Sequence, residues 1–172
     1  MSFLTTVAFG LMAGAAVGFV ANKRREGVVT LATMPLLANE RILGEDANAH
    51  FSYRDARLRD GEPEVSRSLG FAGCVVRVTN MRVIIAQAPL LQPKQALVRF
   101  VVHRGAVPPL GDGTDAYPTF AVDPASVVTS FESNRSVVIL SDRVSVDAPE
   151  GIRLAIATTL ERTIIDQFAA SP

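Results

Sequence analysis

Residues 69–88 read Leu-Gly-Phe-Ala-Gly-Cys-Val-Val-Arg-Val-Thr-Asn-Met-Arg-Val-Ile-Ile-Ala-Gln-Ala. Two apolar, β-branched runs, Leu69 to Val78 and Arg82 to Ala88, flank Thr79-Asn80. Runs of this length and composition bounded by a polar pair predict two strands joined by a tight hairpin. Asparagine suits such a turn because it tolerates a positive φ. This segment sets the expectation of an antiparallel β protein.

The pattern extends in both directions. Upstream, Ala47, Ala49, Phe51 and Tyr53 alternate with Asn48, His50, Ser52 and Arg54, the period of a strand with one buried face. Asp60-Gly61-Glu62-Pro63-Glu64 reads as a turn or loop. Downstream, Ala96 to His103 is a further strand, and Arg104 to Pro118, with Pro108-Pro109, Gly111 and Gly113, is an irregular loop. Short strands follow at Thr119–Val122, Val127–Glu132, Ser136–Leu140 and Val144–Val146, the last three separated by turns at Ser133-Asn134-Arg135 and Ser141-Asp142-Arg143. The period then changes. Asp147, Pro149 and Glu150 suit a helix start, and Ile152, Ile156, Leu160, Ile164 and Phe168 recur at helical spacing. The expected fold is α+β, mainly β: a bent antiparallel sheet or partly open barrel of seven to eight strands, with one C-terminal amphipathic helix plugging an open end.

This order of elements resembles the pleckstrin-homology-like superfold, in particular its GRAM and bacterial PH-like branches. Asn39-Glu40-Arg41-Ile42-Leu43-Gly44-Glu45 is similar to the opening of such domains, and Gly73 to Ile85 to their Thr-Asn hairpin followed by an arginine and an apolar strand. Asp123-Pro124-Ala125-Ser126-Val127-Val128 is similar to the segment leading their second sheet. The resemblance covers residues 36–170 and departs from the family in the long loop at 104–118 and in a final helix without tryptophan. It implies a scaffold that binds lipid headgroups or protein segments, and it carries over no catalytic residue.

Charge divides the chain differently. The totals balance at 17 Lys+Arg and 17 Asp+Glu, which argues against a protein that coats nucleic acid. By position, Ser2 to Asn22 holds no charged side chain, and a 20-residue helix here would reach about 30 Å, the hydrocarbon thickness of a bilayer. Lys23, Arg24 and Arg25 follow at once, so residues 1–22 are expected to form an uncleaved transmembrane anchor. Positive charge on that flank places the N-terminus outside and everything after it on the cytoplasmic or equivalent side, in a bacterial inner membrane or an organelle membrane. Residues 23–35 then form a juxtamembrane linker, whose three cations lie at the membrane interface. Gly10, Gly14 and Gly18 line one face of the helix, where a second transmembrane helix or a membrane complex can approach closely.

Catalytic signatures are missing. The two histidines, His50 and His103, lack metal-binding spacing and read as surface or strand-end residues. Cys74, the one cysteine, sits in an apolar run and reads as a small buried hydrophobe. Gly111 to Asp115 lacks the ligand pattern of a calcium loop and reads as turn chemistry. Among 15 arginines and two lysines, Arg54, Arg57 and Arg59 form the densest cluster of the soluble part and the candidate contact for an anion or partner. No cofactor and no metal is expected. The sequence thus points to a non-enzymatic, membrane-anchored interaction module docking a protein or lipid partner, with a single-span accessory subunit, docked through its glycine face, as the alternative.

Overall fold

The computed structural model describes residues 29–87, 95–105, 117–132, 134–142 and 150–168. The expected anchor with Gly10, Gly14 and Gly18, the cations Lys23, Arg24 and Arg25, the turn at 111–115 and the strand at 144–146 lie outside them. Among the described residues no helix is long and apolar enough to cross a membrane.

Eight strands form one sheet: β1 (Ile42–Arg59), β2 (Glu62–Thr79), β3 (Arg82–Gln87), β4 (Leu97–Arg104), β5 (Thr119–Val122), β6 (Val128–Glu132), β7 (Arg135–Ser141) and β8 (Gly151–Ala157). Their order is β5-β4-β3-β2-β1-β8-β7-β6, and every pair is antiparallel except β4 with β5. A helix, α1 (Glu161–Phe168), follows β8.

Chain connectivity forces this sheet to curl. β5 and β6 are its two edges, and at about 4.8 Å per strand a flat sheet would hold them about 34 Å apart. Only residues 123–127 join them, and six residue steps span at most about 20 Å. The edges therefore come round toward each other, giving a half-barrel. The connection itself stitches the mouth. Asp123 donates its N–H to Ser141 O of β7 (3.0 Å), and the buried Ser126 Oγ accepts from Ser141 N (3.0 Å) while lying 2.8 Å from Ser141 O.

The inside of the curl is the main core. Phe51, Val76, Ile85, Phe100 and Leu154 form one cluster with residues of β5 and β7 and with Ile164 and Phe168 of α1. Phe100 lies 4.9 Å, centroid to centroid, from both Phe51 and Tyr53. The amphipathic helix thus covers apolar surface that the strands leave open, as its spacing predicted. The outside is covered in part. Leu31, Met34 and Tyr117 pack on Ile84, Val98 and Val101, and Thr30 forms a bridge with Leu97. The fold therefore begins before residue 36: residues 29–35, expected as a linker, are a strap across the outer face.

Three local readings are corrected. The helix starts nine residues later than Ile152, because Gly151–Ala157 is the strand between β1 and β7. Its Leu154 and Ile156 face the inner core and Ala155 the outer face, so strand alternation vanishes and an i, i+4 repeat remains. The polar loop at 60–64 shrinks to the two-residue turn Asp60-Gly61, both with positive φ (54° and 86°), closing an 18-residue hairpin pair. Asn80 keeps a negative φ; instead its Oδ1 accepts Arg41 N–H (2.8 Å) and its Nδ2 donates to Asn39 O (3.2 Å), tying the strap's end to the β2–β3 turn.

Candidate functional site

A groove of about 340 Å³ lies over β1, β8 and β7, toward the β6–β7 turn. Strand register builds its floor. His50 pairs with Ala157 and Ser52 with Ala155, while Ala72 of β2 pairs with His50 on the other side. Ala72, Val137, Ala155 and Ala157 line the groove together with His50, Ser52 and the edges of Phe51 and Phe71. Its charged wall is Glu132 and Arg135, which face one another across the β6–β7 turn. That turn is possible because Asn134 takes a φ of 61°.

The groove's charges are unevenly matched. Glu132 is hydrogen-bonded and ion-paired with Arg153 of β8, and Arg153 in turn stands directly opposite Arg54 on β1. Like charges facing each other across two strands destabilise a sheet unless something neutralises them. Arg54 and Arg135 are exposed, and neither has an ion-pair partner among the described residues.

The structure divides the expected arginine cluster. Arg54 shares the groove face, whereas strand alternation turns Arg57 and Arg59 to the opposite face farther along the hairpin. Arg57 is opposite Glu64 and Arg59 opposite Glu62, with Arg59 Nη1 3.5 Å from Glu64 Oε2 on exposed side chains. Exposed pairs of that kind contribute little. His50, expected on a polar face, lines the groove. The charged residues missed by sequence reasoning are Arg135 and Glu132, which line the groove, and Arg153, which pairs with Glu132. Their only signal was Glu132 three residues before Arg135 across a turn, with Ala155 and Ala157 two apart.

A second polar cluster is sealed in the protein. Arg82 donates from Nε to Glu40 Oε1 (2.7 Å) and from Nη2 to Glu40 Oε2 (2.9 Å) and Pro35 O (2.7 Å). Glu40 Oε2 also accepts Leu37 N–H at 2.6 Å. The side chains are 3% and 0% exposed. Burial raises the Glu40 carboxyl, yet the Arg82 and Leu37 hydrogen bonds outweigh it and hold the group below its ordinary value. His103, cross-strand partner of Arg82, lies at the end of β4 as expected but is buried, and its Nε2 has no hydrogen-bond partner among the described residues. Burial first, and Arg82 second, lower its pKa and keep the imidazole neutral. This cluster fastens the strap to β3 and has no access for a substrate.

Asp46 plays a similar part at the other side of the sheet. Its Oδ2 accepts from Thr158 Oγ1 (2.7 Å), Thr159 N (2.7 Å) and Thr159 Oγ1 (3.1 Å), and its Oδ1 from Asn48 N (2.9 Å). Burial pushes this carboxyl up, but these donors together bring it down to about 2. Cys74 is fully buried, donates to Ala49 O (3.3 Å), and burial pushes its thiol up to about 11, so it is the inert hydrophobe expected. Among the described residues no group of three or more His, Cys, Asp or Glu side chains is placed to hold a metal ion.

Comparison with family models, with curated proteins and with solved structures finds no match to this chain.

Proposed function

We propose that this protein is a membrane-anchored, PH-like interaction module that docks a partner at the bilayer surface. The observation that carries the docking role is the division of labour between the faces of the half-barrel. Among the described residues its inner face is filled by one core and closed by α1, which leaves the outer surface for ligand contact; there the groove combines an apolar floor with Arg135, and Arg54 lies on the same face. The buried ionisable groups serve the fold: Glu40 and Arg82 hold the strap, and Asp46 holds the approach to α1. A bent sheet closed by a C-terminal helix is also the arrangement implied by the resemblance at 36–170. The uncharged residues 2–22 and the cations at 23–25 support the anchoring half of the reading.

Two measurements test it. Protein expressed in its membrane should resist carbonate extraction, and a protease added on the non-cytoplasmic side should spare residues 23–172. Extraction by carbonate, or cleavage within 104–118 from that side, would sink the anchored reading. A photo-crosslinker placed at Ser52 should capture a partner that one placed at exposed Asp166, on α1, does not. Capture abolished by Gly14→Leu but unchanged by Arg135→Glu would favour a subunit docked through its helix instead.

A further inference from the structure

We propose that the groove over β1, β8 and β7 receives an extended acidic segment of a partner protein, with carboxylates on Arg135 and Arg54 and small apolar side chains on the alanine floor. The proposal rests on the interaction-module reading and gives its docking face a chemistry.

Charge complementarity is the first argument. On this face Arg54, Arg135 and Arg153 stand against Glu132 alone, three cations against one anion, leaving two positive charges uncompensated. The excess is local: the chain as a whole is neutral. From Val29 on, 14 Lys+Arg stand against 16 Asp+Glu, and a domain of net charge −2 with one basic groove recognises a discrete anionic group rather than being drawn broadly to an anionic surface. Arg54 beside Arg153 is a further sign. The pair is unfavourable alone, and a carboxylate between the guanidiniums would satisfy both.

The floor gives the second argument. Alanine is depleted in strands, yet Ala72, Ala155 and Ala157 are brought together here by the register of three adjacent strands. Ala155 and Ala157 belong with Val137 and Ile139 to a small apolar cluster separate from the inner core, and Ala72 extends the groove floor on the far side of His50. Side chains this short let an incoming chain settle close to the sheet. A site for a small molecule encloses most of its ligand, whereas this groove is shallow, which suits a peptide that leaves one side in solvent.

The test uses the full chain in phosphatidylcholine nanodiscs. A phage library of random dodecapeptides is selected against these discs after depletion on discs carrying Arg135→Glu. Selected peptides should be rich in Asp and Glu interspersed with Ala or Val. Measured by fluorescence anisotropy, they should bind Arg135→Glu and Ala155→Arg at least tenfold more weakly, and weaken as salt rises. Arg135 is exposed, so Arg135→Gln, which places no second carboxylate opposite Glu132, retains the wild-type unfolding midpoint and should also bind the selected peptides more weakly, even if Arg135→Glu or Ala155→Arg is destabilised. Recovery of no peptide, of basic peptides, or of peptides indifferent to Arg135→Glu overturns the proposal. So does competition by phosphatidylserine vesicles that Arg135→Glu abolishes, which would make the occupant a lipid headgroup. Co-elution with the discs is scored separately: acidic peptides bound by a chain that fails to enter lipid would sink the anchor and leave this groove assignment standing.

Discussion

Glu40 and Arg82 meet where a desolvated charge is costly, and removing one partner leaves the other uncompensated. Glu40→Gln or Arg82→Met should each lower stability by about 3–5 kcal/mol in chemical denaturation. The double change Glu40→Leu with Arg82→Met should recover most of that loss, because apolar groups of similar size need no partner. Asp46 contributes through pH. Its carboxyl titrates at about 2 in the fold against 3.8 ordinarily, so its share of the stability is present above about pH 4 and is lost as pH falls toward 2. That share is about 2 kcal/mol. Acid titration of the unfolding free energy should show this loss in the wild type and lack it in Asp46→Asn. Residue types were legible here, and partners were not. Glu40 lies 42 positions from Arg82, and Asp46 more than 110 from Thr158, so no local spacing announces either contact.

Elements were easier to read where one face met solvent. Ala49, Phe51 and Tyr53 are buried as their alternation predicted, whereas Ala47 is exposed at the irregularity between Asp46 and Ala49, and β5 matches its expected bounds residue for residue. β8 failed because it lies between β1 and β7 with apolar neighbours on both faces at Leu154, Ala155 and Ile156. The better signal for the helix start was Thr158-Thr159 before Leu160 and Glu161, where Thr158 Oγ1 accepts Leu160 N–H at 3.2 Å. Pro63 suggested a loop, yet it sits in β2 opposite Leu58, on an edge where no other strand pairs among the described residues. Bulges were invisible in the sequence. Gly73 has a φ of 67° where Ala49 pairs with Cys74 and His50 with Ala72, so β2 carries one extra residue there, a bulge against β1. No atom lies within 4 Å of a Cβ built at Gly73. Gly73→Ala should therefore cost about 1–2 kcal/mol by backbone strain alone, visible as a lower denaturation midpoint with an unchanged slope.

At the scale of the molecule, closure of the half-barrel depends on a short connection. Ser126→Ala removes the acceptor of a buried Ser141 N–H and should cost about 1–3 kcal/mol. Amide exchange should then quicken first in β6 and β7, next to the released edge, and last in β2 and β3. The curl itself could be anticipated from strand count and helix, but which strands become edges could not. Only the return of β8 to β1 places β5 and β6 at opposite ends while five residues hold them together. The groove depends on the same return, since its floor joins the β1–β2 hairpin to β8, which follows in the chain only after β3 to β7.

The strap also sets how the protein bears load. A pull on the N-terminus enters at Val29 and meets the Thr30–Leu97 bridge first, then Arg82 gripping Glu40, and only afterwards β1. β1 has two neighbours, β2 and β8, so tension reaching it is spread along both hydrogen-bonded ladders. The early contacts are few and yield one after another, whereas the ladders resist together. In an optical trap, extension should begin with a small, reversible step as residues 29–41 peel away, followed at higher force by cooperative rupture of the sheet. A pull arriving at Val29 would thus be absorbed as slack before it deforms the groove.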